Sequence, residues 1–318
     1  MVRQLQPQGV AFDLRRLLLY SSSPLHSAVA GYLTNHHLGT ITCVHRDDGG
    51  GSSLKGFAQV WPRADDAEWD LAFLAPSLER QGNVSALWLR LLSDLIVLGA
   101  ERGTLRIYVR SAEDAEAEDI FRQVGFTIII REEVFASSRV PAPIPLPKGL
   151  RPVTPEDRPA LNELYAQVVP QLVQQAEGVA PHWWATRQRM RPVSAKEYVW
   201  ADKGLIIAYL GLCCSSRGYW LETMVRPEFR ADLLPHLKYL LTLTRCSANT
   251  PVYSPVPDYS VGVGWLLRTL GFEPYARQVL MVVHTAARVP IRRPMLVPGL
   301  ERGVDVSTNV GHVCRRKL

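Results

Sequence analysis

Apolar residues recur at Ala86, Leu87, Leu91, Leu95 and Leu98, the spacing of one helix face. A short apolar run precedes them, broken at Pro76 and followed by a polar loop that holds Gly82. Gly99 and Gly103 close the helical segment, and Leu105 to Val109 reads as a strand. The stretch from Asp70 to Val109 therefore predicts strand, loop, helix and strand, an α/β signature. Its loop brings free backbone N–H groups to a helix N-terminus, which suits an anion such as a phosphate. An ordinary strand-to-helix turn fits the same residues.

The remaining pattern extends this unit in both directions. Phe12 to Leu33 is mostly apolar and predicts helix, with a break near Ser21–Pro24. Gly39–Arg46 and Leu54–Arg63 are β-branched or alternating runs, and DDGGGSS between them reads as the flexible connection of a hairpin. Glu68–Ala75 is the next strand. After Val109, Ser111 opens a helix whose first turns carry Glu113, Asp114, Glu116, Glu118 and Asp119. Acidic residues there complement the helix dipole, so the cluster needs no catalytic explanation. Phe126–Phe135 is a strand.

VPAPIPLPKG follows, with four prolines between Pro141 and Pro147. Proline fixes φ and removes a donor, so this stretch predicts an extended linker. Beyond it the order of elements repeats. Thr154, Pro155 and Asp157 mark a helix start, and HWWATRQRM predicts a second helical stretch. Strands are expected at Glu197–Ala201, Leu205–Cys213 and Tyr219–Val225. Then come a helix at Leu233–Cys246, a strand at Pro251–Ser254, a helix at Val261–Leu270 and a closing strand at Phe272–Ala286. The two halves end alike, FRQVGFTIIIREEVF against LRTLGFEPYARQVLMVV. A repeat on the scale of a domain implies duplication. The expected organisation is a domain at 1–140, a linker at 141–149, a second domain at 150–289 and an irregular basic tail at 290–318.

Composition adds little against this picture and excludes some classes. The chain has 318 residues, of which 47% are hydrophobic and 21% charged, ordinary values for a globular protein. No apolar run approaches the ~20 residues that span a bilayer, and MVRQLQPQGVAFDLRR lacks a signal-peptide core. Five scattered cysteines without C-x-x-C spacing argue against a zinc site or disulfide framework and point to a cytoplasmic location. The net charge of +6 is uneven: residues 1–140 hold 14 Lys and Arg against 17 Asp and Glu, residues 141–289 hold 16 against 11, and the tail holds 6 against 2. A basic second half suits an anionic partner or a solvated surface equally. No nucleic-acid motif is present, and no membrane or metal partner is expected.

With these elements in place, each half resembles a GCN5-related N-acetyltransferase (GNAT) domain, and the chain resembles the tandem GNAT arrangement. The resemblance covers about Ala11 to Val289 and rests on element order and the two Gly-Phe endings. It implies an α/β (α+β) fold of two tandem domains, each a strongly bent mixed sheet flanked by helices. It also implies acetyl-CoA as acyl donor, bound by a loop of the form R/Q-x-x-G-x-G/A after a strand ending in V-x-P.

Carried over by residue, the family motif is altered in both halves. In the first, Pro76 to Val84 aligns with the loop and Gly82 matches its middle glycine, while Glu79 and Val84 replace the flanking residues. The N–H groups of Gly82, Asn83, Val84 and Ser85, with Arg80 as charge partner, are the implied cofactor site. In the second, Pro227–Arg230 matches, but Leu233 and Pro235 stand at the glycine positions, and proline offers no N–H. Phe121 and Leu267 stand where the family carries a proton-donating tyrosine.

Glu222, three residues before Val225, lies where the family can place a general base, and a half-exposed, paired strand residue reads equally well there. In the first half Leu71 holds that place; the adjacent Asp70 points to the opposite face if the strand is regular. Tyr259 and Tyr275 are substitute proton donors or packing residues. Two functions follow. One is an acyl-CoA-dependent N-acyltransferase acting on a small-molecule or peptide amine. The other is a non-catalytic tandem GNAT-like protein that binds a ligand or serves as a scaffold. The duplication suits a monomeric pseudo-dimer or a homodimer.

Overall fold

The computed structural model describes residues 9–19, 40–46, 55–63, 67–80, 82–178, 194–247 and 249–285. The hairpin connection DDGGGSS, His26, His36, His37, HWWATRQRM and the tail lie outside them. In chain order the first half holds β1 (Val10–Ala11), α1 (Leu14–Leu19), β2 (Ile41–Arg46), β3 (Lys55–Pro62), β4 (Glu68–Ala75), α2 (Val84–Glu101), β5 (Arg106–Ala112), α3 (Ala115–Gln123) and β6 (Thr127–Ser137). The second half holds β7 (Leu150–Pro152), α4 (Arg158–Val168), α5 (Gln171–Glu177), β8 (Ser194–Asp202), β9 (Leu205–Cys214), β10 (Tyr219–Val225), α6 (Leu234–Thr242), β11 (Val252–Pro257), α7 (Val263–Thr269) and β12 (Glu273–His284). No helix among the described residues is long and apolar enough to cross a membrane.

Local chemistry accounts for the main elements. Helix α2 buries Val84, Leu87, Trp88, Leu91, Leu92 and Leu95, the face read from the sequence, and burying each such side chain contributes roughly 1.5–3 kcal/mol. Asn83 caps it, accepting the Ala86 N–H at 3.3 Å. Helix α3 opens at Ala115 and not at Ser111, which belongs to β5; Asp114 caps it, accepting from Glu116 N–H at 2.9 Å. Ahead of α4, the Asp157 carboxylate takes the Thr154 N–H at 2.8 Å and the Thr154 hydroxyl at 3.1 Å. There the chain first makes a 3-10 turn over Pro155–Asp157, so the α-helix begins four residues after Thr154.

The strands form one twelve-stranded sheet in the order β2-β3-β4-β5-β12-β6-β11-β10-β9-β8-β7, with β1 alongside β4. The closing strands are exchanged. Strand β12, the last of the second half, runs antiparallel to β5 from Gln278–Ala112 to His284–Arg106. Strand β6, the last of the first half, runs antiparallel to β11 from Val252–Ser137 to Pro257–Glu132. The two exchanged strands pair with each other at the centre. Each half of the sheet is thus completed by the other half's final strand.

The helices are exchanged only in part, since Leu161, Leu164 and Val168 of α4 pack on Val199, Ile206 and Tyr209 of their own half. On one face, α2 and α3 pack over the first half of the sheet, and α6 and α7 over the second. On the other face, Tyr165, Val169 and Val173 of the α4–α5 region cover Tyr108, Leu280 and Val282. Leu14, Leu18 and Leu19 of α1 cover Val134, Trp220 and Tyr253.

Two pairs of parallel strands part company. Strands β4 and β5 pair only from Glu68–Arg106 to Asp70–Tyr108, and β10 and β11 only at Tyr219–Val252 and Trp220–Tyr253. Beyond those points each pair opens into a V.

Candidate functional site

A cavity of about 250 Å3 lies on the face of the sheet away from α2 and α6, between the two openings. Its walls come from β4, β5 and β6, from β10 and β11, from α1, and from the α4–α5 region. Neither half builds it alone.

Asp70 and Glu222 both line this cavity, and for Asp70 the sequence expectation is corrected. Regular alternation turns it away from the direction Glu222 takes. Strand β4 is not regular: its register against β3 steps from Gln59–Phe73 to Val60–Leu71, leaving Ala72 as a bulge. A one-residue bulge reverses the side-chain alternation beyond it. Trp69, Leu71 and Leu74 consequently share the buried face under α2, and Asp70 lies on the cavity side. On the unbulged β10, Leu221 and Val225 face the helices, so Glu222 lies on the cavity side as well.

The two carboxylates have different electrostatic surroundings. Burial alone pushes Asp70 upward, but Arg63 and Arg16 outweigh it and hold the carboxyl below its ordinary range. Arg63 reaches Asp70 Oδ1 at 2.8 Å and Arg16 reaches Oδ2 at 3.8 Å. Both guanidiniums are also held by ring faces, Arg16 over Trp61 and Arg63 over Tyr108, each at 3.7 Å. Glu222 is held above its ordinary range by burial, against the pull of Arg15 and Arg110. Arg15 Nη1 donates to its Oε1 at 2.9 Å, and Arg15 Nη2 lies 3.0 Å from Cys213 Sγ. A carboxylate with a raised pKa accepts a proton more readily at neutral pH, so Glu222 is the better base of the two.

The expected cofactor loop is formed in part. Gly82 has φ +117°, which only glycine adopts easily. The Val84 N–H turns back onto the Gly82 carbonyl at 2.9 Å. Those of Gly82, Asn83 and Ser85 have no acceptor among the described residues, and Arg80 is exposed at the same turn. The Ser85 hydroxyl donates to Glu116 at 3.1 Å, which brings a negative charge to the loop. Between β4 and β5, where an acyl-carrying arm would lie, the chain's own N-terminal segment bridges the opening. Phe12 N–H donates to the Ala72 carbonyl at 3.0 Å and Asp13 N–H to the Arg110 carbonyl at 2.8 Å. The Phe12 ring is buried against Trp88 and Phe121. The first half as it stands does not fit acetyl-CoA.

In the second half the opening is lined by Thr223, Met224, Pro255 and Pro257 and belongs to the cavity. The loop beyond it has no free cradle. Two 3-10 turns use the N–H groups of Phe229, Arg230 and Leu233 on the carbonyls of Arg226, Pro227 and Arg230. Leu233 is fully buried, and the Arg230 guanidinium is turned onto the carbonyls of Val261 and Tyr259. With these N–H groups and the arginine engaged, and with Pro235 offering no N–H, the second half does not fit the nucleotide end of the cofactor.

Of the substitute tyrosines, Tyr259 lines the cavity, whereas Tyr275 is half exposed and packs edge-on to Tyr253. Sequence reasoning missed Arg15, Arg16, Arg63, Arg110, Glu132, Tyr165 and Glu177, which share the cavity wall. A signal existed for one of them. Glu132 alternates in phase with Ile130 and Val134 along β6, and a charge at an inward strand position marks a polar interior. Arg110 meets it at 3.0 Å. Among the described residues, no group of histidine, cysteine and acidic side chains could hold a metal ion.

No family model matches the chain, and no curated protein matches it. Solved structures do resemble it. A functionally unknown conserved protein from Staphylococcus epidermidis superposes with a TM-score of 0.51 at 10% identity, over 75% of this chain and 95% of that one. A GCN5-related N-acetyltransferase from Sphaerobacter thermophilus gives 0.49 at 16% identity, over 88% and 97%. A tandem GNAT protein from the clavulanic acid biosynthesis pathway gives 0.45 at 15%, over 84% and 90%. At such identities likeness concerns fold, not activity. Two copies of one element order, each with a helix between parallel strands that splay apart, give this chain the tandem GNAT fold.

Proposed function

We propose that the central cavity is a binding site for a small primary amine, in a protein that keeps the acceptor side of the GNAT frame and has lost the usual donor side. One observation carries this reading: Glu222 faces a cavity at the foot of the opening between β10 and β11, with a carboxyl raised by burial. Such a group holds an ammonium or takes the proton of an amine. Tyr259 beyond β11 adds a phenol to the wall. The bridged first opening and the spent N–H groups of the second support binding without transfer.

A second reading is supported by the place of Glu222. It lies where a general base would deprotonate an attacking amine, which suits N-acyl transfer from acetyl-CoA. In that reaction Glu222 takes the amine proton, while Arg15 keeps the carboxylate oriented. The chain offers no built cradle for the donor, so no later step is derived.

Calorimetric titration with 1-aminohexane and, separately, with acetyl-CoA tests both readings. Amine binding that weakens about tenfold in Glu222→Gln, with no heat from acetyl-CoA at millimolar concentration, is the expected result. Absence of amine binding overturns the proposal. Acetyl-CoA binding that disappears in Gly82→Pro, together with acylated amine detected by mass spectrometry, replaces it with the second reading.

A further inference from the structure

The charges around the cavity do not cancel. Five carboxylates face four guanidiniums among the described residues of its wall. Four of the five are matched: Glu222 by Arg15, Asp13 and Asp70 by Arg16 and Arg63, and Glu132 by Arg110. Glu177 is the exception. It has no lysine or arginine within ion-pair distance among the described residues, and its one hydrogen bond comes from the Tyr165 hydroxyl.

The surroundings of Glu177 suit a cation. Tyr165 is buried beside it, and its phenol is pushed far above its usual range by burial and by the Glu177 charge. The Tyr259 phenol is raised by burial first and by Glu177 next. Tyr259 lines the cavity, and its hydroxyl has no hydrogen-bond partner among the described residues. Two electron-rich rings, one carboxylate and one available phenolic oxygen are the groups that hold an organic ammonium. A metal ion would require more oxygen ligands than these.

We propose that Glu177, Tyr165 and Tyr259 form a seat for a second cationic group, so that the cavity selects diamines over monoamines. This rests on the amine reading: one nitrogen meets Glu222 and the other meets Glu177. The two poles stand on different elements, β10 and the end of α5, with the apolar side chains of Ile130, Met224 and Leu280 among the wall residues. An alkyl chain between two nitrogens matches that alternation of polar and apolar wall.

The test compares 1,4-diaminobutane and 1,6-diaminohexane with 1-aminobutane and 1-aminohexane by calorimetry on the whole chain. At least one diamine binds about tenfold more tightly than its monoamine partner, the scale of one charge-assisted contact. Glu177→Gln, which keeps an acceptor for the Tyr165 hydroxyl, brings the diamine down to the monoamine's affinity. Tyr259→Phe reduces diamine binding several-fold, and thermal melting of each variant confirms that it is folded. Equal affinity for diamines and monoamines overturns the proposal while the amine reading stands. Failure of every amine to bind overturns both.

Discussion

The two halves use the same opening strand in different ways. In the second half, β7 pairs with β8 at the outer edge of the sheet, through Leu150–Trp200 and Pro152–Tyr198. In the first, β1 leaves that edge and lies against β4, through Val10–Leu74 and Ala11–Phe73, so that Phe12 and Asp13 reach across the opening. One placement caps an edge and leaves the interior accessible. The other fills the interior and delivers Arg15 and Arg16 to the cavity. The halves therefore differ in where a strand of two or three residues lies, and they supply different parts of one site.

The largest expected effect strikes that difference directly. Phe12→Ala removes a ring that is 3% exposed among Trp88 and Phe121 and costs about 4 kcal/mol, as large-to-small changes in aromatic cores do. Leu150→Ala, at the corresponding place in the second half, costs about 2–3 kcal/mol. Urea denaturation of both variants measures the contrast. A smaller loss at Phe12 than at Leu150 breaks the assignment of the first strand to the core.

The paired carboxylates sharpen the comparison next. Asp70 has a depressed pKa, so its contribution is present above the unfolded value and fades as pH falls through the folded one. Asp70→Asn leaves Arg16 and Arg63 short of a buried partner and costs about 2–3 kcal/mol at neutral pH, with the loss shrinking in acid. Glu222 has a raised pKa, and a raised carboxyl favours folding less as pH climbs from its unfolded value through the folded one. Glu222→Gln therefore gains on the parent between pH 4 and pH 8, the opposite slope. Denaturation midpoints across that range decide it, and parallel slopes would remove the distinction.

The smallest effect concerns a cap. Asp157 is lowered to about 2, chiefly by hydrogen bonds from Arg151, against burial and helped by Thr154. Asp157→Asn costs about 1 kcal/mol at pH 7. The difference from the parent disappears as pH falls from near 4 toward 2, and melting curves in acid read it.

Short-range features were legible in the sequence. The face of α2, the hairpin strands β2 and β3, and the strand positions of the second half all follow from spacing and turn residues. The cavity was not legible, for two physical reasons. Strand exchange depends on contacts such as Val283 with Ile107, and no local pattern records which sheet a strand joins. The bulge at Ala72 inserts a residue without changing the apolar composition of DLAFLA, so alternation assigned Asp70 to the wrong face. The four arginines come from three separate places in the chain, Arg15–Arg16, Arg63 and Arg110, where a solvated side chain reads equally well.

The central pairing of β12 has a consequence for how the protein is made. While the chain leaves the ribosome, β5 emerges long before the strand that covers its free edge, since Arg106 waits for His284. Until then the nascent first half carries an open row of N–H and C=O groups, a surface prone to wrong pairing. A messenger truncated ahead of β12 would yield a product with two such rows, on β5 and on β6. Emergence of β12 is thus the event that closes the sheet.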